Sequence, residues 1–293
     1  MKTRITILLL ALFVSFNIGF AQQDEECMNN LSMFDSYVKS KKYDDAYGPW
    51  KIVRDKCPRF NRAIYAHGEK ILLHKIKSAT GVDQVAYIND LMLLYDQSRE
   101  YFASKYDLGE ILADKANLAY KYRKELNKTN DQVYNMFDEA YVKDAKNFTS
   151  AKGLYTHFSL IVDLFDDGKK EAQQMFDKYD DVNELIEGIV SEYTTKLNKL
   201  VEKEEAGETL GKKDTQRKKF YESSIEVYET KILPSMDQKL GKRATCAVLV
   251  PLYQRDFEEN KNNGVWLQRA MNRMYAIYIY LLVNKSILTK QYS

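Results

Sequence analysis

The sequence predicts an all-α protein, and three observations support this class. The 293-residue chain contains only 4 Pro and 12 Gly, so few residues would interrupt a helix. Apolar residues recur at spacings of three and four, which is typical of one face of a helix. No segment shows a convincing alternation of apolar and polar residues, which would indicate strands.

The chain begins with a segment typical of a secretory signal peptide. Lys2 and Arg4 precede an apolar run over residues 5–14, and a small residue follows at Ala21. The run is shorter than the roughly 18–20 residues that a membrane-spanning helix needs, which argues against an N-terminal anchor. We therefore expect residues 1–21 to be a signal peptide, cleaved after Ala21, and the mature protein to be periplasmic.

After this segment, helical periodicity predicts a long succession of helices. They are expected over residues 28–40, 43–57, 60–77, 83–102, 107–126, 130–146, 149–166, 169–179, 181–203, 214–240, 244–260 and 264–288. The segment EKEEAGETLGKKD combines charge blocks with two glycines and almost no apolar residues, so it indicates a solvated connection. The mature chain then divides into a helical array over 22–203, a charged connection over 204–213 and a C-terminal helical section over 214–293.

The stretch KKYDDAYGPWKIVRDKCP contains the clearest packing pattern of the chain. Ala46, Trp50 and Val53 share one helical stripe, and Pro58 ends it. A small residue such as Ala46 lets a neighbouring helix approach closely. Large residues such as Trp50 and Val53 fill the groove to the next helix pair. We therefore expect this stripe to pack between two consecutive helix pairs.

This spacing resembles a tetratricopeptide repeat (TPR), when a 34-residue unit is counted from Cys27. Further residues take repeat-packing positions in this unit, in a second unit that begins near Asn61, and in a third helical pair. They are Phe34, Tyr37, Tyr43, Gly68, Phe137 and Ala140. Gly68 has the residue type that the family expects at its position, whereas Phe34 replaces the usual small residue. The C-terminal section is expected to contain a further antiparallel helix pair, a degenerate TPR-like pair without the consensus residues.

The resemblance extends to exported bacterial TPR proteins with irregular, lengthened helix pairs, in which YDDAYGPW and CP recur early in the chain. It implies a right-handed superhelical array of antiparallel helix pairs, a solenoid that acts as a scaffold. If the family geometry applies, the inner face holds the residues that contact a partner, namely Leu31, Asp35, Val38, Arg62, Tyr65 and Glu69. Leu31 and Asp35 depart from the Lys and Asn with which the family clamps a C-terminal carboxylate, which argues against recognition of such a tail.

The three cysteines of the mature chain differ in their setting. Cys27 lies at the start of the first predicted helix and Cys57 at the end of the second, so an antiparallel hairpin would bring them to the same end. Export to an oxidising space permits a disulfide between them, and two reduced thiols at the hairpin end are the alternative. Cys246 has no adjacent basic residue or His, and we expect it to be a small buried apolar residue.

No segment matches a catalytic or metal-binding motif. The chain lacks GxSxG, HExxH and GxGxxG. Of its three histidines, His67 and His74 lie seven residues apart, which is about 10 Å along a helix and too far to share one metal ion. His157 is distant in sequence from both. We therefore expect no metal, no cofactor and no enzymatic activity.

The charge balance limits the classes of partner. The chain has 44 Lys and Arg against 42 Asp and Glu, and loss of Lys2 and Arg4 leaves 42 against 42, so a general attraction to nucleic acid or anionic lipid is not expected. We expect a periplasmic scaffold or adaptor that binds another envelope protein or a peptide segment. Such a protein would meet the membrane only through a membrane-protein partner.

Two other functions remain open at this point. The 22 tyrosines would also suit a soluble carrier of an apolar or saccharide ligand in an aromatic-lined groove. A cell-wall hydrolase on a helical scaffold would need a cleft with convergent polar groups.

Overall fold

The protein is helical throughout the part that the computed structural model describes, residues 25–275. No residue in this range lies in a strand, so the all-α prediction is confirmed. The predicted signal peptide, residues 1–21, and the last part of the predicted helix 264–288 lie outside the described residues.

Twelve helices follow one another along the described residues. They are α1 (25–39), α2 (Tyr43–Lys56), α3 (Ala63–Ser78), α4 (Gly81–Phe102), α5 (Leu108–Lys121), α6 (Asn130–Asp144), α7 (Ala151–Asp166), α8 (Ala172–Glu205), α9 (Lys212–Val227), α10 (Leu233–Gly241), α11 (Cys246–Asn260) and α12 (264–275). A 3₁₀ turn follows α4 and another follows α6, and a π-helical turn, Tyr228–Ile232, joins α9 to α10.

The helices form two compact units, the first ending at Thr129 and the second beginning at Asn130. The first unit contains α1 to α5 and the second contains α6 to α12. The charged connection predicted over 204–213 is the turn between α8 and α9, which pack against each other inside the second unit. It therefore does not separate the two compact units.

In the first unit, Trp50 of α2 packs against Gly68 of α3. The indole is fully buried, and its Nε1–H donates a hydrogen bond of 2.7 Å to the carbonyl oxygen of Ile64. A Cβ atom at position 68 would lie 2.6 Å from Nε1 of Trp50, closer than non-bonded atoms approach. Glycine at position 68 is therefore what allows α2 and α3 to meet around the indole.

The other residues predicted to pack between helices are buried or half-buried. Five are buried, namely Phe34, Ala46, Val53, Phe137 and Ala140, and three are half-buried, namely Tyr37, Tyr43 and Pro58. Burial of the small and large residues alike agrees with the stripe that the sequence predicted.

The predicted link between Cys27 and Cys57 is present as a disulfide, with Cα atoms 6.5 Å apart. α1 and α2 are antiparallel around the turn at residues 40–42, which places the two cysteines at one end of the hairpin. An ion pair of 2.7 Å between Lys56 and Glu26 adjoins the disulfide. The first helix is thus attached covalently to the second.

In the second unit, α8 is one helix of 34 residues, so the prediction of two helices over 169–179 and 181–203 was wrong. The predicted break lies at Asp180, but Met175, Val182 and Ile186 continue a single buried stripe across it. Gln174 and Glu171 form a capping box that sets the start of the helix.

Cys246 is exposed at the first residue of α11, so the prediction that it is buried was also wrong. Leu249 and Leu252 supply the buried side of this helix instead. Cys246 lies three residues before Leu249, so periodicity alone would place it on the buried side, but the start of α11 is exposed at Thr245, Cys246 and Ala247 alike.

Candidate functional site: an acidic cluster on helices α3 and α5

The structure divides the six residues predicted to contact a partner. Arg62 is exposed, and three others are partly exposed, namely Leu31, Asp35 and Glu69. Val38 and Tyr65 are buried, so their assignment to a partner-binding surface was wrong.

Tyr65 is buried because it completes the core between α3 and α4. Its ring lies 6.2 Å from that of Tyr101 and 5.7 Å from that of Phe102, and its hydroxyl donates a hydrogen bond to the carbonyl oxygen of Pro58. Val38 belongs to the same apolar core. Both residues therefore stabilise the first unit rather than face a ligand.

Asp35 is occupied by side chains of its own chain. One carboxylate oxygen lies 3.0 Å from Nε2 of His67, which connects α1 to α3, and the other accepts a hydrogen bond from Lys39. The hydrogen bond from Lys39 and the contact with His67 lower the pKa of Asp35 below its ordinary value, against a smaller opposing effect of burial. This carboxylate has little need of an external cation.

Three other carboxyl groups of the first unit form what we call the acidic cluster: Glu69 of α3, and Glu110 and Asp114 of α5. Glu110 and Asp114 lie four residues apart, and therefore on one face of α5. The hydroxyl of Tyr95 on α4 donates a hydrogen bond of 3.0 Å to Oε1 of Glu69. Helices α3, α4 and α5 thus each contribute a polar side chain to the same region.

Two carboxyl groups of the acidic cluster, those of Glu110 and Asp114, have raised pKa values. Burial and then the nearby carboxylates of Glu69 and Glu110 raise the pKa of Asp114 to about 7. The pKa of Glu110 is also raised. The main cause is partial desolvation of the carboxyl by neighbouring protein atoms, and the charges of Asp107 and Glu69 add to it, although the residue remains exposed. At neutral pH the cluster therefore carries negative charge that its surroundings disfavour.

No Lys, Arg or His within residues 25–275 forms an ion pair with a member of the acidic cluster. Other carboxylates of the first unit do have such partners. Asp90 pairs with Arg54 at 2.7 Å, and Asp96 pairs with Lys115 at 2.6 Å. The acidic cluster therefore differs from the ordinary paired carboxylates of this unit.

Tyr106 lies at the edge of the acidic cluster. Burial raises its pKa, and the carboxylates of Glu69 and Glu110 raise it further, while Arg62 acts in the opposite direction. With Tyr95 it places two phenol side chains beside three carboxyl groups. Such an arrangement suits a cationic group such as a lysine or arginine side chain, which carboxylates and aromatic rings both attract.

The sequence did not identify Tyr95, Glu110 or Asp114. The only available signal was the four-residue spacing of Glu110 and Asp114 within the predicted helix 107–126. Their proximity to Glu69, about 40 residues earlier in the sequence, arises because α3 and α5 both pack against α4, which local periodicity does not report.

A concave region lies between α11 and α12 in the second unit. It is an apolar groove of about 470 Å³, lined by Val250, Tyr253, Gln254, Phe257, Trp266, Leu267, Ala270, Met271 and Met274. The rings of Tyr253 and Trp266 meet edge to face at 5.5 Å. This groove has the size and the aromatic lining of sites for small apolar ligands.

Two further kinds of feature are absent from the part of the chain that the structure describes. No three His, Cys, Asp or Glu side chains there are arranged to hold a metal ion. None of the helices there combines the length and the apolar character that crossing a lipid bilayer requires.

Comparison with known proteins gives no relative for this chain. No protein-family model, no curated protein and no solved structure matches it.

Proposed function

We propose that this protein is a non-enzymatic, TPR-like scaffold of the periplasm, and that it binds a basic segment of another envelope protein through the acidic cluster. The observation that carries the proposal is the convergence of Glu69, Glu110 and Asp114, without a cationic partner among the residues described. A lysine or arginine side chain from a partner would neutralise this charge.

The electrostatics of Asp114 support this partner chemistry. Its raised pKa means that the unbound protein resists ionising this carboxyl, because burial and two like charges oppose it. A bound cation would favour the ionised form and so would lower that pKa. Binding and ionisation are then linked, and binding of a basic segment should weaken as the pH falls below about 7.

Two further observations support the scaffold and its compartment. Trp50 and Gly68 pack together at the junction between consecutive helix pairs, as a TPR-like array requires. The Cys27–Cys57 disulfide suits an oxidising space such as the periplasm.

Calorimetric titration of the purified chain with a short peptide rich in lysine and arginine tests the binding proposal. We expect the peptide to bind at neutral pH, and a matched peptide rich in glutamate to show no binding. In the variant E69Q/E110Q/D114N the affinity should fall at least about tenfold, which corresponds to about 1.4 kcal/mol. Equal affinity of the wild type and this variant for the basic peptide would contradict the proposal.

A matched control separates the acidic cluster from the general charge of the protein. Asp96 belongs to the same unit but pairs with Lys115, so Asp96→Asn should leave the affinity for the basic peptide within about twofold of wild type. A loss in this control equal to that in the triple variant would indicate non-specific attraction to the net charge.

The groove between α11 and α12 favours a second candidate function, that of a carrier for an apolar ligand. Trp266 lines the groove, whereas Trp50 is buried in the first unit, so the two indoles report on different places. An apolar fluorescent dye that enters the groove should quench Trp266, and Trp266→Phe should remove that quenching. Dye binding that leaves the emission of Trp266 unchanged would exclude this groove as the ligand site.

A further inference from the structure

His157 on α7 is the most buried titratable side chain that the proposed binding function does not use. It is 0% exposed. Its imidazole lies among four aromatic rings, those of Tyr134, Phe137, Tyr141 and Phe148, at centroid distances of 5.1 to 6.3 Å. The imidazole is therefore shielded from solvent in the folded unit.

The polar contacts of His157 are few. Its Nε2 lies 3.4 Å from Oδ1 of Asp138 on α6, an electrostatic contact without the geometry of a good hydrogen bond, and its Nδ1 has no hydrogen-bond partner in the described structure. The same oxygen of Asp138 is contacted at 2.8 Å by Nζ of Lys178 on α8. Lys178 thus already supplies the positive charge that Asp138 requires.

Other charged and titratable groups complete the environment of His157. On α6, the hydroxyl of Tyr134 approaches Asp138 at 3.4 Å, and the ring of Tyr141 lies 4.4 Å from Nζ of Lys178. On α8, Asp181 lies 3.4 Å from the same Nζ.

α10 and the π-helical turn also pack against α7. The ion pair between α10 and α7 does not involve the surroundings of His157. Lys239 pairs with Asp163, which is about 9 Å further along α7 than His157. The charges that act on the imidazole therefore come from α6 and α8.

We propose that these groups make the packing of α6, α7 and α8 acid-sensitive: a proton taken up by His157 loosens α7 from α6 and α8. An imidazolium ion here would be buried beside the ammonium group of Lys178, and the two cations would share one oxygen of Asp138, because Asp181 contacts Lys178 and not the imidazole. The folded unit therefore favours the neutral form of His157, and protonation favours separation of the helices. This property belongs to the second unit and does not depend on the acidic cluster of the first.

The direction of the pH effect follows from the burial of the imidazole. Burial lowers the pKa of His157 in the folded unit, and Lys178 adds to this, whereas Asp138 and, more weakly, Asp181 act in the opposite direction. The opened chain binds a proton near the ordinary histidine pKa of about 6.5. The opening equilibrium constant should therefore rise as the pH falls below about 6.5, by up to about tenfold per pH unit, until the folded unit also binds the proton.

The titratable groups around His157 do not produce the same dependence of opening on pH. The contact with His157 and then that with Lys178 lower the pKa of Asp138, so its contribution is lost only in much more acidic solution. Burial raises the pKa values of Tyr134 and Tyr141, which keeps both phenols neutral through this range.

Amide hydrogen exchange of the full-length chain, followed by mass spectrometry of peptides covering α7, tests the proposal. After correction for the intrinsic pH dependence of exchange, opening of α7 should increase about tenfold between about pH 7.5 and about pH 5.5. His157→Phe, which keeps an aromatic ring in the same cage, should reduce this increase to less than about twofold. Unchanged protection of α7 in the wild type across this range would overturn the proposal without any variant.

Two further variants separate a titrating histidine from a merely structural one. Lys178→Met removes the competing ammonium group, so an imidazolium could pair with Asp138, and the acid response of α7 should fall at least about threefold relative to wild type. His74→Gln, at a partly exposed histidine of the first unit, should leave the response of α7 unchanged. An undiminished acid response in both His157→Phe and Lys178→Met would show that another group is responsible.

Discussion

At the scale of single residues, Trp50 and Gly68 show how two helix pairs are held together: a large indole packs where glycine leaves room for it. Trp50→Ala removes a fully buried indole and its hydrogen bond to Ile64, and should lower the free energy of unfolding by about 3–5 kcal/mol. Chemical denaturation monitored by circular dichroism measures this loss. A loss below about 1 kcal/mol would contradict the packing role of the indole.

Gly68→Ala tests the other side of the same contact. The added methyl group would collide with the indole of Trp50, so we expect destabilisation by about 1–3 kcal/mol despite the higher helix propensity of alanine. Gly48 is the matched control, because nothing lies within 4 Å of a Cβ atom at that position. Gly48→Ala should stabilise the protein by about 0.5–1 kcal/mol, so the two substitutions should have opposite signs.

Asp114 gives a pH-dependent prediction at the same scale. Its pKa is raised to about 7 in the folded protein, so the folded state holds this proton more tightly than the unfolded chain does. The resulting stability is present at acidic pH and is lost as the pH rises through about 7. Asp114→Asn should therefore stabilise the protein at about pH 8, by on the order of 1 kcal/mol, and much less at about pH 5. Thermal unfolding at both pH values measures the difference, and an equal effect at both would argue against ionisation as the cause.

At the scale of helices, periodicity predicted the elements that have one continuous buried stripe. α2 is found within one residue of its predicted bounds because Ala46, Trp50 and Val53 define its buried face. α8 was divided in error at residue 180, where two charged residues, Asp180 and Asp181, lie within one continuous helix. Asp180 pairs with Arg273, and Lys178, which precedes it, pairs with Asp138, so these charges are satisfied by other helices. Sequence periodicity does not reveal which distant side chains will lie beside a charge. The acidic cluster was missed because its members come from different helices.

The disulfide between α1 and α2 supports a prediction about these elements. Its cysteines are 30 residues apart, and a cross-link closing such a loop stabilises a fold by about 3–4 kcal/mol in the chain-entropy model. C27S/C57S should therefore unfold at clearly lower denaturant concentration than wild type. Cys246→Ser should have no measurable effect, because Cys246 is an exposed free cysteine. Peptide mapping without reductant should recover Cys27 linked to Cys57, and a link from either residue to Cys246 would refute this pairing.

At the scale of the whole molecule, the chain contains two compact units whose stabilities depend on different chemistry. The first unit contains the disulfide, Trp50 and the acidic cluster, whereas the second contains the buried His157 with Asp138 and Lys178. Each unit has its own buried apolar residues, so each can lose its structure in a separate transition. A substitution or a change of pH that acts on one unit should then shift the unfolding midpoint of that unit alone.

This separation is testable with one set of measurements on the full-length chain. Hydrogen exchange along the sequence, during stepwise addition of denaturant, should show that C27S/C57S lowers the midpoint for α1 to α4 and leaves that of α7 unchanged. Mild acid should do the reverse, lowering the midpoint for α7 while the first unit keeps its own. Protonation of Asp114 relieves repulsion within the acidic cluster, so the midpoint of the first unit should not fall in mild acid. If both perturbations shifted the midpoints of both units equally, the two units would unfold as one. The acid response of α7 would then not be independent of the unit that contains the acidic cluster.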